Sequence, residues 1–195
     1  MMQQTVALLA TEMDEAWGTL RGCLEGLTDE EFFWEPVPGC WTVHPSEDGR
    51  WVVDYADPAP EPPPFTSIAW RLVHVAACKV MYHEYAFGPG KLTWGELEIP
   101  HTAADAIAWL EEGHARLRAA LDGLSDADPS TSRRGELVEP SGQALEEMRL
   151  TNWGDPWSTW RIFWTMISHD LHHGAEIGCL RDLYREMHHG ETWGE

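Results

Sequence analysis

Apolar residues recur at steps of three and four near the start of the chain, the spacing of one face of an α-helix. They are Val6, Leu9, Met13, Trp17, Leu20 and Leu24. The stripe predicts a helix over 3–25, which Gly26 ends. Thr28 and Glu31 have the spacing of a capping box, so a short second helical turn is expected before Pro36.

The helical period is lost between 39 and 64. The segments 41–43 and 51–55 flank a turn signal at 47–49 (EDG), which predicts a small β-hairpin or an ordered loop. Prolines follow at 58, 60, 62, 63 and 64, and they favour an extended connector because proline fits neither a helix interior nor a central strand. The connector is too short to separate independent domains, so we expect one domain over 1–195.

Two further helices are predicted in the middle of the chain. The first covers about 65–87 and is apolar on nearly every face, so it should be deeply buried; Gly88 and Pro89 end it. The second begins at a cap formed by Thr102 and Asp105 and ends at Gly123.

The last helix is expected to begin with Asp155 as its N-cap and Pro156 at its first position, and to continue to about Glu186. The polar residues before it, 125–152, predict a long surface loop with a short strand near 136–138. Four long helices joined by loops indicate an all-α four-helix bundle, with the small hairpin or ordered loop inserted between the first two long helices.

Composition and charge narrow the functional classes. The chain has 195 residues, of which 33 are acidic and 13 basic, for a formal charge of −20. So negative a chain argues against binding nucleic acid or an anionic membrane surface. The start has no signal-peptide pattern, and the 4 cysteines form no CxxC pair, so we expect a cytoplasmic protein with reduced thiols.

His169 and His173 are four residues apart in the last predicted helix, which puts both imidazoles on one face, where they can chelate one metal ion. His172 points about 100° away and is expected at the surface or behind a ligand. The residues that share the face of the pair direct it toward the core or a cavity. They are Ile162, Met166, Glu176 and Leu180.

His74 lies in the largely apolar helix at 65–87. A buried imidazole is costly unless it is hydrogen-bonded or bound to a metal, so His74 is either a core histidine with a polar neighbour or a ligand. Combined with the pair on the last helix, a metal site of His74, His169 and His173 is the better explanation.

Four more residues are candidates around such a site. His114, on an apolar helical stripe, is a fourth ligand, a base behind the ligands or a core histidine. Cys78, one turn after His74, is a soft-metal ligand or a small apolar residue. Glu176 and Asp170 either orient a ligand imidazole through its other nitrogen or are solvated.

A second candidate site lies at the start of the last helix, where Arg161 is the one notable cation in an aromatic neighbourhood of Trp157, Trp160 and Trp164. These residues predict either a pocket for an anionic substrate or a cation–π contact that holds no ligand.

Four ordered segments of the chain resemble the DinB-like (YfiT-like) four-helix-bundle superfamily, which includes metal-dependent hydrolases and thiol-dependent S-transferases and isomerases. The segments are 27–31 (LTDEE), 34–43 (WEPVPGCWTV), 68–76 (IAWRLVHVA) and 168–177 (SHDLHHGAEI). The resemblance spans nearly the whole chain. The insert at 44–64 and the polar loop at 125–152 depart from a minimal member of the family. The resemblance therefore does not identify the residues of the substrate pocket.

The resemblance implies that the second long helix supplies one histidine, and the fourth an HxxxH pair, to a divalent ion, zinc or nickel. In this chain those ligands are His74, His169 and His173. It also implies a homodimer and a small-molecule substrate. Its thiol-dependent members imply a low-molecular-weight thiol, such as mycothiol or bacillithiol, as cosubstrate.

Three neutral imidazoles leave coordination positions open, as in a catalytic site, and the ion activates a water or a thiol there. We therefore expect a metal-dependent S-transferase or hydrolase. The alternative is a non-catalytic metal-binding or stress-response bundle. The sequence chooses neither the substrate nor the metal.

Overall fold

Four long helices contain most of the residues that the structure, a computed structural model, describes, which are 3–125 and 144–189. In chain order the elements are α1 (Gln3–Leu24), α2 (Asp29–Phe33), β1 (Val43–Pro45), β2 (Trp51–Val53), α3 (Ile68–Phe87), a 3₁₀ turn (Trp94–Glu96), α4 (Ala103–Ser125), β3 (Met148–Leu150), β4 (Pro156–Ser158) and α5 (Thr159–His189). The prediction of an all-α bundle is confirmed.

The bundle core forms where the predicted apolar stripes meet. Helix α1 packs on α5 and α3 packs on α4, while α3 also contacts α5 and α1 contacts α4. The fully buried side chains include Met13, Leu20, Leu72, Leu110, Leu117, Phe163 and Ile177. Helix α3 is buried along most of its length, as its apolar composition predicts.

Two glycines permit close approach between helices. A Cβ on Gly174 of α5 would lie 3.3 Å from the Cα of Leu20 in α1. A Cβ on Gly113 of α4 would lie 3.0 Å from the Cβ of Lys79 in α3. Because interiors are close-packed, larger residues at either position would push the helices apart.

The predicted capping box is present and is tied to α5. The Glu31 N–H donates to Thr28 Oγ1 at 3.2 Å, and the Thr28 N–H donates to Glu31 Oε2 at 3.3 Å. Arg181 of α5 donates to both carboxylate oxygens of Glu31, at 3.0 and 3.1 Å, and to the carbonyls of Cys23 and Glu25 at 2.8 Å. This buried guanidinium therefore joins α2 and the end of α1 to α5.

The predicted hairpin is also present and adjoins the start of α3. Strands β1 and β2 pair antiparallel, with Val43 opposite Val53, and Gly49 takes a φ of 82° in the turn between them. The proline connector then returns beside Trp41, whose carbonyl accepts from the Ser67 N–H at 2.9 Å. Ser67 caps α3 by accepting from the Trp70 N–H at 3.1 Å.

The predicted start of the last helix was wrong. Pro156 lies in β4, which pairs with β3, and α5 begins at Thr159. The Asp155 carbonyl accepts from the N–H and the hydroxyl of Thr151, so this segment is held in the β3–β4 hairpin rather than as a helix cap. Proline is tolerated at the first position of a strand as well as at the first position of a helix, so Pro156 is compatible with either element. Helix α5 also ends later than expected, at His189, and α4 continues past Gly123 to Ser125.

Other expectations have mixed outcomes. All 4 cysteines are free thiols, as expected. Over 3–125 and 144–189, no helix has the length and apolarity needed to cross a membrane. The strand predicted near 136–138 lies outside the described residues.

A buried ion pair joins α3 to α5 in the bundle core. Lys79 Nζ lies 2.7 Å from Asp170 Oδ2, and the two side chains are 1% and 0% exposed. Burial lowers the pKa of Lys79 and raises that of Asp170, and their mutual attraction opposes both shifts. A pair this deep stabilises the fold only while both partners are present.

We expect Asp170→Asn to lower the free energy of unfolding by about 3–5 kcal/mol, because it leaves the Lys79 ammonium buried without its counter-ion. Urea denaturation at pH 7 measures the change. The matched control is Asp182→Asn on the same helix, whose carboxylate is 79% exposed and whose partner is a surface arginine. Equal effects of the two variants would contradict the structural role of the buried pair.

We expect Glu31→Gln to lower the free energy of unfolding by about 1.5–3 kcal/mol at pH 7, because it weakens the charged hydrogen bonds of Arg181. Burial raises the pKa of Glu31, but the hydrogen bonds from Arg181 and Thr28 outweigh it and hold the pKa below its ordinary value. The carboxylate therefore contributes stability above its unfolded pKa of about 4.3 and loses that contribution as the pH falls through the lower folded pKa.

Chemical denaturation at several pH values tests this dependence. The difference between the wild type and Glu31→Gln should be constant near neutral pH and should shrink below about pH 4.3. Glu30→Gln, an exposed neighbour in the same turn, is the control. A difference that grows on acidification would contradict the assignment.

Candidate metal centre

Three imidazoles converge between α3 and α5. The ring centroid of His74 lies 5.5 Å from that of His169 and 5.1 Å from that of His173. The centroids of His169 and His173 are 5.6 Å apart. The structure therefore brings together the three histidines that the sequence singled out as ligands.

The spacing of the rings fits a shared metal ion. An ion about 2.0–2.1 Å from an imidazole nitrogen lies about 3.2 Å from the ring centroid, so two rings bound at the tetrahedral angle have centroids about 5.2 Å apart. The three measured separations range from 5.1 to 5.6 Å. The centroid separations are therefore compatible with a shared ion, although no group of donor atoms within 4.8 Å among the described residues contains all three histidines.

Other donor atoms accompany these rings. Among the described residues, His74, Cys78 and His169 each offer a ligand atom within 4.8 Å of the others, and so do His172, His173 and Glu176. The Cys78 sulfur lies 3.8 Å from His74 Nε2. Burial raises the pKa of the Cys78 thiol to about 12, which favours its protonated form. Of the three predicted ligands, His74 and His169 therefore lie in the group with the Cys78 sulfur, and His173 lies in the other group.

Glu176 orients His173, in agreement with one of its two predicted roles. His173 Nδ1 lies 2.7 Å from Glu176 Oε2, so the nitrogen that carries the proton faces the carboxylate and Nε2 keeps its lone pair. Arg71 forms an ion pair with the same carboxylate. Burial raises the pKa of Glu176, but the hydrogen bonds from Arg71 and His173 outweigh it and lower the pKa overall.

The environment keeps the imidazoles neutral. Burial, together with the charges of His173 and His169, lowers the pKa of His74 to about 3. Burial is also the main cause that lowers the pKa of His169 to about 4, and it lowers the pKa of His173. The neutral ring is the form that binds a metal.

The alternative of hydrogen-bonded core histidines fits two of the rings poorly. His169 Nδ1 is buried and has no hydrogen-bond partner among the described residues. His74 stacks on Trp70 with centroids 4.8 Å apart, and its polar neighbour is the weakly bonding thiol of Cys78. An unpaired buried nitrogen is costly, so these rings lack the contacts of an ordinary core histidine.

Asp170 takes neither of its two expected roles, whereas His114 lies in the core, which was one of its three alternatives. Asp170 neither bonds an imidazole nor faces solvent, because its carboxylate is buried against Lys79. His114 is 7% exposed and stacks on Trp17 with centroids 4.1 Å apart, and neither group of ligand atoms includes it. Burial and the Lys79 charge lower the pKa of His114 to about 3. It is a neutral core histidine held by stacking, and its buried Nδ1, like that of His169, has no hydrogen-bond partner among the described residues.

His172 lies at the surface, as expected from its helical position. Its side chain is 64% exposed, and its Nε2 lies 3.3 Å from Glu176 Oε1. It therefore contacts the carboxylate that orients His173, from the solvent side.

A cavity of about 1050 Å³ reaches His74 and Cys78. Its other walls come from the β1–β2 hairpin, the segment 94–99 and Trp153. Trp51, Trp94 and Trp153 of these walls were not predicted as site residues. The available signal was the high number of tryptophans, 12 in the chain. A small molecule in this cavity would lie beside the candidate metal ligands.

The residues predicted to form a substrate pocket at the start of the last helix do not line this cavity. The Arg161 guanidinium carbon lies 4.1 Å from the centroid of the Trp157 ring, which is the cation–π contact of the alternative interpretation. Trp160 and Trp164 are 42% and 57% exposed, and Trp164 lines a separate groove between α1 and α5. Trp157 lies in β4 and the other three residues lie in the first two turns of α5, and none of the four lines the cavity.

Comparisons with known proteins agree with the geometry. The sequence model described as the DinB superfamily matches residues 12–177. Comparison with curated proteins gives no significant match. The matched range contains both helical segments that carry the three histidines. The chain belongs to the DinB superfamily.

Proposed function

We propose that the protein is a metal-dependent enzyme in which His74, His169 and His173 hold zinc or nickel. It transfers a low-molecular-weight thiol, such as mycothiol or bacillithiol, to a small molecule or hydrolyses that molecule. The observation that carries the proposal is the convergence of three neutral imidazoles, one of which, His74, lines a cavity of about 1050 Å³.

Neighbouring side chains hold the rings in orientation. His74 stacks on Trp70, whose indole N–H donates to the Asp54 carbonyl at 2.8 Å. His173 donates to Glu176, which Arg71 in turn holds. Such outer contacts fix the tautomer and direction of ligand imidazoles.

A divalent ion on three neutral imidazoles supplies a Lewis acid with an open position, which lowers the pKa of a water or thiol that binds there. The chain contributes the cavity that admits the substrate beside His74, and apolar walls from Val73 and Ala77 that limit the access of bulk water. Resemblance to thiol-dependent members of the superfamily favours the thiol over water as the nucleophile.

The second candidate function is a non-catalytic metal-binding bundle. The observation that favours it is the compact group of His74, Cys78 and His169. Mixed nitrogen and sulfur donors are common in structural zinc sites, and these three residues would need a fourth protein ligand to close a tetrahedral site. In that case the ion would stabilise the contact between α3 and α5.

Homodimer formation, which the resemblance implies, remains part of the proposal. Its support is the exposed apolar surface of α5. Trp160, Trp164 and Leu171 are 42%, 57% and 48% exposed on this helix. Unpaired apolar surface of this kind is common at protein interfaces.

We expect the purified protein to bind about one divalent ion per chain when zinc or nickel is offered, and His74→Ala to lose most of it. Elemental analysis measures the stoichiometry. His172→Ala is the matched control, because this exposed imidazole lies beside the site without pointing at His74. Equal metal loss in both variants, or no uptake by the wild type, would contradict the proposed ligand set.

We expect bacillithiol or mycothiol to change the ultraviolet absorption of the cobalt-substituted protein, because a thiolate on the ion adds a sulfur-to-cobalt charge-transfer band. An analogue with a hydroxyl in place of the thiol is the control and should add no such band. A spectrum that no low-molecular-weight thiol changes would contradict the transferase and leave hydrolysis or the structural role.

A further inference from the structure

The cavity beside His74 combines aromatic rings with carboxylates. Tryptophans from four different segments line it: Trp51 of β2, Trp70 of α3, Trp94 of the 3₁₀ turn and Trp153 of the β3–β4 turn. The carboxylates of Asp57, Glu96 and Glu98 line the same cavity. No single helix stripe explains this composition, because each ring comes from a separate part of the chain.

The charge of the lining is negative. Arg50 is the one lysine or arginine among the residues that line the cavity, and it is already paired with Asp48 at 3.0 Å. Among the described residues, Asp57, Glu96 and Glu98 form no ion pair, and Glu96 Oε2 accepts hydrogen bonds from the N–H and the hydroxyl of Thr93 at 2.9 and 2.7 Å. The chain as a whole carries a formal charge of −20, so an anion would enter against both the local and the overall charge.

The aromatic rings are arranged to contact a ligand. Trp70 is held in place by its N–H bond to the Asp54 carbonyl. The rings of Trp94 and Trp153 lie 6.2 Å apart at an angle of 36°, and they are 41% and 58% exposed. Large exposed rings gathered at a cavity indicate a binding surface. The faces of such rings carry negative electrostatic potential and attract organic cations.

We propose that this cavity selects a positively charged organic molecule, with an ammonium group attached to an apolar body. This class of molecule is the substrate of the enzyme, an assignment that rests on the proposed function. The apolar body packs on the tryptophans, and the cation lies against their faces and the carboxylates of Asp57, Glu96 and Glu98, which form no ion pair among the described residues. The substrate is therefore a cation, whereas the sequence pattern around Arg161 predicted an anion. Arg161 does not line the cavity.

Calorimetric titration of the full chain tests the proposal with three probes of similar size. They are benzyltrimethylammonium as the cation, benzyl alcohol as the neutral molecule and phenylacetate as the anion. We expect the cation to bind at least about tenfold more tightly than the other two. Its affinity should fall as sodium chloride rises from about 0.05 to about 0.5 M, because salt screens exposed carboxylates.

Matched variants locate the binding site. Trp94→Ala removes a ring that is 41% exposed in the cavity, whereas Trp160→Ala removes one that is 42% exposed outside it. We expect the first to weaken binding of the cation about two- to fivefold and the second to leave it unchanged. Glu98→Gln should also weaken binding of the cation and leave binding of benzyl alcohol unchanged.

The titration is made on protein treated with a chelator and on protein loaded with zinc, so that the inference and the proposed function can fail separately. Cation selectivity in a protein that takes up no metal would support the cavity inference and contradict the proposed function. Normal metal uptake without cation selectivity would contradict the inference alone. Equal losses in Trp94→Ala and Trp160→Ala would also overturn it.

Discussion

The ion pair of Lys79 and Asp170 sets the register of α3 against α5, and the candidate metal centre depends on that register. Lys79 directly follows Cys78, and Asp170 directly follows His169. Both charges are buried, so they need each other at hydrogen-bond distance. Sliding one helix by a single turn of about 5.4 Å would separate the charges and move His74 away from the two histidines of α5.

Helix α5 carries further polar side chains that find partners on other elements. Glu176 bonds His173 and pairs with Arg71 of α3, while Arg181 holds the carboxylate of Glu31 in α2. Buried polar groups are tolerated only when they are paired, so each contact restricts how α5 packs. His169 adjoins Asp170, and His173 lies between Asp170 and Glu176, so these contacts determine the position of the helix at the site.

The local features of the fold were predictable because they depend on nearby residues. Apolar periodicity indicated the long helices, the spacing of Thr28 and Glu31 indicated the capping box, and the i, i+4 spacing of His169 and His173 indicated a shared face. Pro156 misled because proline suits both the first position of a helix and the first position of a strand. Its pairing with β3 decided between them.

The contacts that define the site were harder to predict because their partners are far apart in the chain. Lys79 and Asp170 are 91 residues apart, and a charged residue on the largely apolar helix α3 indicates only that some partner is needed. Three of the four cavity tryptophans, Trp51, Trp94 and Trp153, come from loops and short elements, which have no period to reveal which way a side chain points. The place of Cys78 beside His74 likewise depends on rotamers and on the approach of α5.

The central claim is that three imidazoles, and no sulfur, hold the metal. X-ray absorption spectroscopy of the zinc-loaded protein tests it most directly, because nitrogen and sulfur ligands differ in distance. The account predicts a shell of nitrogen or oxygen atoms at about 2.0–2.1 Å with the outer-shell signature of imidazole rings. A sulfur at about 2.3 Å that disappears in Cys78→Ser would contradict it and would favour the structural site of His74, Cys78 and His169.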